Sequence, residues 1–415
     1  MAGFNAVRRY YAYLATTAYG FYLPVGLLYL EQQYGWVVVG LTQGVFSFAL
    51  VAAEIPTGYV GDRIGRRASL ALGNVISTGA LGAFVFLDSP LEYCALYAVW
   101  ALGWGFRSGT SEAWLYEFLA SRGDTESYTR LDGRARTVRL LVSAAGAVLA
   151  GVLVTFGWGV PLFVNAALSA LGVPILLSLP AVGATTENDA DDPPAGDPKP
   201  GDADVFGVRD AVRMLRVQAR RPEIRWLVVY VGLFYVLFAV TRPYESPIAE
   251  QVGVPVAALG ALFAGFKLVS AGAAASAGWV RDAFGTRGVL ALLVPVYGVA
   301  FASVAFVPLF VLPVFFLNRG LKTVLGPIRN QYVNDRLEDV GRATVLSGVS
   351  MLLSVAAGTA NLFSGPLIDA FGPFRFLAGA GVAAATAAGV LWVAVDPVRE
   401  DADSPVGTTP SPATD

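Results

Sequence analysis

Long apolar runs separated by short charged or Gly/Pro-rich breaks make up most of the chain. They fall at 10–30, 36–60, 68–88, 91–119, 137–156 and 159–181, and again at 226–247, 255–280, 288–307, 309–330, 343–365 and 374–395. A surface helix of a soluble core alternates apolar and polar faces, and these runs do not. A hydrocarbon layer about 30 Å thick takes roughly 20 residues of helix, so the pattern predicts about twelve membrane-spanning helices. They form two groups of about six on either side of a polar gap. The expected fold class is an all-α membrane protein built as two six-helix bundles.

The gap opens with TTENDADDPPAGDPKPGDAD, too rich in Pro and Asp to bury apolar surface. After it, Val205, Val208, Val212, Leu215 and Ala219 recur at helical spacing beside Arg209, Arg213, Arg216 and Arg220. That stripe predicts an amphipathic helix, lying on anionic lipid or packed on the bundle. The expected organisation is an N-terminal bundle over 1–181, a cytoplasmic linker with this helix over 182–225, a C-terminal bundle over 226–396 and a disordered tail over 397–415.

Charged residues make up 14% of the chain, against about 25% in a soluble domain, which leaves no room for a large water-soluble unit. Histidine is absent and Cys94 is the one cysteine. Histidine triads, His/Cys metal cages and disulfide frameworks are therefore excluded, and no enzyme activity, cofactor or metal is expected. A net charge of −2 gives no reason to expect a nucleic-acid partner. Arg8 and Arg9 lead directly into the first run without a small-residue cleavage site, so that run is expected to stay as a span. Arginines cluster at 8–9, 63–67, 122–139, 281–287, 336–342 and 399, on alternate breaks, whereas the other breaks hold Arg242 and Arg375. The positive-inside rule then puts both termini on the cytoplasmic side of the plasma membrane.

The halves repeat. GYVGDRIGRRASLAL, from Gly58, aligns with GWVRDAFGTRGVLAL, from Gly278, and pairs Asp62 with Asp282, Gly65 with Gly285 and Arg67 with Arg287. GRARTV at Gly133 echoes GRATVL at Gly341. Such echoes imply parallel repeats about an axis along the membrane normal. Within the loop, Gly58 and Gly61 let helix backbones approach closely. Gly65 permits a tight turn, and Asp62 suits a helix N-terminus.

This loop resembles the signature loop of the major facilitator superfamily. EIPTG from Glu54 and SEAWLYE from Ser111 resemble a prokaryotic branch that includes drug-efflux-like permeases. The resemblance implies a secondary transporter working by alternating access on a small-molecule substrate. It would sit in the lipid bilayer as a monomer, with a proton or sodium as coupling ion. The resemblance also implies a conformational latch of Gly58, Gly61, Asp62, Arg63, Gly65, Arg66 and Arg67. In it, Asp62 meets the start of span eleven near Arg342, and Arg66 pairs with Glu117. A secondary reading takes Arg63, Arg66 and Arg67 as positive-inside anchors alone. In the second copy Arg281 stands for Gly61 and Thr286 for Arg66, so any latch is asymmetric.

Four cations fall near the middle of their runs: Arg107 in span four, Lys267 in span eight, and Arg319 with Lys322 in span ten. Each would cost about 2.5–3.5 kcal/mol facing lipid, so they should face the interior. The resemblance implies that spans one, four, seven and ten line a central cavity, with Arg107 opposite the Arg319/Lys322 pair. Glu112 lies about 7.5 Å along the helix from Arg107 and roughly 140° around it. Tyr19 and Tyr22 add apolar faces with a hydroxyl. Tyr10, Tyr11 and Tyr29 read as interface-belt residues, and Asn165, Asn318 and Asn361 as helix-to-helix glue. A net positive cavity suits an anionic or carboxylate-bearing solute. Two readings of the charges stay open at this level: substrate contact, or a fixed ion network of Arg107, Glu112 and Arg319. Two further functions also stay open. One is proton-driven efflux of amphiphiles through Glu112 or Glu54, and the other is a non-transporting membrane sensor. AAGAVLAGVL in span five lacks the proline of the drug-antiporter signature, and Ser108-Gly109 after Arg107 also departs from the antiporter pattern.

Overall fold

The computed structural model describes residues 2–182, 222–334 and 342–397. The expected linker, its amphipathic helix and the tail beyond Pro397 lie outside the described residues. The helices are α1 (Ala2–Thr16), α2 (Gly26–Ile64), α3 (Arg66–Ala83), α4 (Pro90–Arg107), α5 (Thr110–Ala120), α6 (Tyr128–Leu153) and α7 (Gly159–Leu177). After the gap come α8 (Pro222–Thr241), α9 (Glu245–Gln251), α10 (Val256–Phe306), α11 (Val311–Asn334), α12 (Arg342–Phe371) and α13 (Pro373–Val395). Among the described residues, nine helices are long and apolar enough to cross a membrane.

Two of the longest segments are hairpins. α10 has 51 residues; straight, it would run about 76 Å, far beyond a bilayer. It folds at Gly285, where φ is 65° and ψ 164°. The aligned Gly65, between α2 and α3, has φ 82° and ψ 156°. Both turns need a positive φ that a Cβ would strain. The sequence repeat is thus also a repeat of backbone conformation. α2 turns again at Gly35 (φ 77°). Among the described residues, splitting α2 and α10 at these glycines and joining α1 to the first turns of α2, α4 to α5 and α8 to α9 gives twelve passes of an all-α membrane fold in two halves, α1–α7 and α8–α13.

Two predicted spans are discontinuous. The run 10–30 breaks after α1, where the Thr16 and Thr17 hydroxyls donate back to the Tyr13 and Leu14 carbonyls at 2.6 and 2.8 Å, and helix resumes at Gly26. The run 91–119 breaks at Gly109, whose φ is 72°. Arg107 therefore ends α4 instead of sitting inside one continuous helix. α4 begins on a capping box of Ser89 and Glu92 with Pro90 in its first turn.

The halves meet through bare backbone. A Cβ on Gly151 of α6 would stand 2.1 Å from the Ala257 carbonyl oxygen of α10, and one on Gly260 would stand 2.0 Å from that of Ala147. On the other flank, a Cβ on Gly40 of α2 would reach Asn361 O of α12 at 2.5 Å. Small residues let membrane helices approach this closely and gain dispersion contacts along their length. Further along, Gly58, Gly272 and Gly278 have no described atom within 4 Å of such a Cβ. The seam thus lies toward the Gly35 and Gly253 turns, away from the Gly65 and Gly285 turns. Tyr10 corrects the belt expectation: it is fully buried, stacks on Trp114 at 5.2 Å and donates to Ser111 O at 3.1 Å.

Candidate functional site

A cavity of about 320 Å³ lies between the halves. Tyr19, Tyr22, Tyr97, Trp100 and Trp104 wall it from the first half; Tyr235, Phe238, Arg242, Arg319, Lys322 and Asn361 wall it from the second. A second cavity of about 370 Å³ adjoins it and is lined by Tyr13, Arg107, Glu112, Arg139 and Lys267. Tyr19, Leu23, Trp104 and Arg242 line both.

The aromatic wall is held from behind. Asn165 accepts from the Tyr22 backbone N–H and donates to Ala18 O, both at 3.1 Å, and so satisfies the broken first span. The Tyr22 and Tyr97 hydroxyls share a hydrogen bond, and Trp100 meets Tyr22 edge to face at 4.9 Å. Tyr19 stacks on Trp104 at 5.8 Å.

Opposite, Phe238 carries two cations. Lys322 Nζ lies 3.6 Å from its ring centroid and Arg319 Cζ 5.4 Å, and Arg319 Cζ also lies 5.3 Å from the Phe266 ring centroid. Arg319 Nη2 donates to Glu245 Oε2. Glu245 is fully buried, while Arg319 is 17% exposed. Arg242 occupies a 3₁₀ turn between α8 and α9, with Pro243 withholding a backbone donor. Placed by sequence in an outer loop, Arg242 instead lines both cavities. Several polar atoms are buried without a hydrogen-bond partner among the described residues: Tyr19 Oη, Trp100 Nε1, Arg107 Nη1, Arg319 Nε, Glu245 Oε1 and Asn361 Oδ1. A buried donor or acceptor left unmatched costs about 1–3 kcal/mol, so the walls retain capacity for a polar guest.

The other predicted residues distribute as follows. Glu112 accepts from Ser111 Oγ at 2.6 Å and from Arg136 at 3.1 Å, while Arg107 lies against the Tyr19 and Trp104 rings at 5.5 and 5.7 Å. Arg107, Glu112 and Arg319 therefore do not join into one network, because each has other neighbours. Lys267 lines the second cavity and not the first. Arg66 Nε pairs with Glu117 at 3.1 Å, but both belong to the first half, so this pair alone cannot tie the halves together. Arg63 lies over the Tyr59 ring at 4.3 Å. The Asp62 side chain and its expected partner near Arg342 lie outside what the structure describes. Arg67 donates to Leu179 O and its repeat partner Arg287 to Asp396, both at 3.0 Å, tying each hairpin turn to the end of its own half.

Reading the sequence missed Arg242, Glu245, Arg139 and Asn361 as wall or anchor residues. The signal for the first two was present: they stand three apart inside the apolar run 226–247. The arrangement can hold a planar apolar body among rings and an anionic group among cations. Among the described wall residues, Arg107, Arg139, Arg242, Lys267, Arg319 and Lys322 outweigh Glu112 and the adjoining Glu245.

Comparison with known proteins agrees with this architecture. Over 99 residues the chain is 31% identical to the uncharacterized MFS-type transporter YxaM of Bacillus subtilis (strain 168), a match spanning 24% of this chain and 25% of that protein. A crystal structure of a mutant of the nucleoside transporter NupG superposes with a TM-score of 0.74 at 14% identity, covering 92% of this chain and 98% of that one. A POT family transporter in complex with a thioalcohol-conjugated peptide superposes with a TM-score of 0.66 at 14% identity, covering 94% and 96%. At such identities the likeness speaks for the fold. The sequence profile of the Major Facilitator Superfamily matches residues 11–244, and together with the duplicated signature turns and the two-half helical fold it establishes that the chain belongs to that superfamily of membrane transporters.

Proposed function

We propose that the protein is a secondary transporter of small organic anions, with a carboxylate as the anionic group and a planar apolar body. One observation carries the reading: Arg242, Arg319 and Lys322 gather beside Phe238 on one wall, and Tyr19, Trp100 and Trp104 face them on the other. Guanidinium groups take a carboxylate through paired hydrogen bonds, and rings take the body by stacking. Transport then proceeds by alternating access, with the halves rocking about the cavity and the substrate biasing the two states by binding them unequally. Coupling to a proton or sodium gradient would set the direction.

The protein sits in the plasma membrane with both termini cytoplasmic, which makes the glycine seam the outer closure and the conformation inward-facing. Arg66 and Glu117, paired within the first half, brace the loop from which Asp62 latches the cytoplasmic face when that face closes. Proton-driven amphiphile efflux is less well supported, because Glu112, its first candidate carboxylate, is engaged by Arg136 and Ser111. A nucleoside, the solute named for NupG, is neutral with a planar base that the rings alone would suit; the surplus of cations favours an anion.

Uptake into proteoliposomes of an isosteric series, benzoate, benzamide and benzylamine, tests the proposal. Benzoate alone should be carried or should compete. Equal handling of benzamide would refute the anion reading.

A further inference from the structure

We propose that the second cavity is a separate oxyanion-binding subsite, formed where the fourth span breaks, taking a phosphate, sulfate or carboxylate group. Three independent features converge there. First, the break at Ser108 and Gly109 starts α5 afresh. Gly109 offers no side chain to cap it, and the first intrahelical bond is Ala113 N–H to Gly109 O. The N–H groups of Thr110, Ser111 and Glu112 are thus left at the positive end of an 11-residue helix. Ser108, Gly109, Ser111 and Glu112 all line the cavity.

Second, Arg107, Arg139, Lys267 and Arg242 line the same cavity from α4, α6, α10 and the turn after α8. The carboxylate that lines the cavity, Glu112, is held by Ser111 and Arg136. Such a cluster is unfavourable until an anion joins it. Third, the Arg107 Nη1 atom is buried there with no acceptor placed on it and Tyr19 Oη beside it, and an oxyanion would supply that acceptor. The subsite stands apart from Lys322 and the Phe238 wall, so it does not depend on the organic-anion reading of the first cavity.

The test uses the full-length protein in neutral phosphatidylcholine nanodiscs, titrated with inorganic phosphate and with sulfate at constant ionic strength. Wild-type protein should bind both. Arg107→Gln and Arg139→Gln should each weaken phosphate at least about tenfold, the scale of one lost charge-assisted contact, while benzoate binding persists and shows that the fold is intact. Lys322→Gln should do the reverse. Absence of phosphate and sulfate binding by the wild type, or phosphate affinity unchanged in both arginine variants, overturns the subsite. Two arms separate the sources of the oxyanion. Flux of radiolabelled phosphate into proteoliposomes of the same lipid identifies a free anion that is carried. Competition by phosphate against terephthalate but not benzoate, without phosphate flux, identifies the second acidic group of the substrate. Either result places an oxyanion at the break in span four.

Discussion

Arg319 of α11 donates from Nη2 to the fully buried carboxylate of Glu245 at the start of α9. This pair closes the base of the cation wall. It also keeps one guanidinium nitrogen, Nε, free of protein acceptors among the described residues. Removing one member of a buried pair strands the other charge, which costs about 3–5 kcal/mol. Glu245→Gln is therefore expected to lower the thermal unfolding temperature of the purified protein clearly. The double variant Glu245→Leu/Arg319→Met should regain most of that loss yet fail to transport an anion. A single variant as stable as the wild type would show that the pair is not needed to neutralise Arg319.

Lys322 lines the cavity, and its ammonium rests on Phe238. Lys322→Gln is expected to raise the KM for a carboxylate substrate about tenfold, roughly 1.4 kcal/mol, while leaving competition by its neutral amide unchanged. Equal weakening of both ligands would assign Lys322 to packing.

Much of this was legible in the chain. The apolar runs, the Gly58 and Gly278 repeat and the deep cations lead to the fold, because each reflects a local requirement: length across a bilayer, a positive φ at a turn, or the cost of charge in lipid. The cavity floor was not legible in the same way. Arg242, Pro243 and Glu245 read as the end of a span, because hydropathy cannot tell a polar turn that reaches water from one that folds back beneath the cavity. Tyr10 shows the same limit. Tyrosine suits a membrane interface and a packed core equally, and only the position of Trp114, more than a hundred residues away, decides between them.

Arg66 and Glu117 are each about a third exposed, so the pair adds at most about 1 kcal/mol to stability. Its expected importance is kinetic. Glu117→Gln should change the turnover number several-fold with little effect on substrate affinity, and the swap Arg66→Glu/Glu117→Arg should partly restore it. A loss confined to affinity would contradict a latch.

Cys94 can be replaced by serine to give a cysteine-free background for accessibility labelling. In it, a single cysteine at Tyr235 reports which side of the membrane reaches the cavity. Gly260→Leu, whose Cβ alone would overlap the Ala147 carbonyl, is expected to increase labelling from the side of the Gly35 and Gly253 turns. Unaltered labelling would mean that the seam is not the barrier on that side.

At Gly151 and Gly260 the closure between α6 and α10 is made by main chain against main chain. Its tightness is then all or nothing: it seals only when two whole rods lie flush, and any added methyl acts as a wedge along their full length. A carrier sealed this way has no partial opening through which ions could seep while it reorients, and for that reason these two positions have almost no freedom to drift toward larger residues.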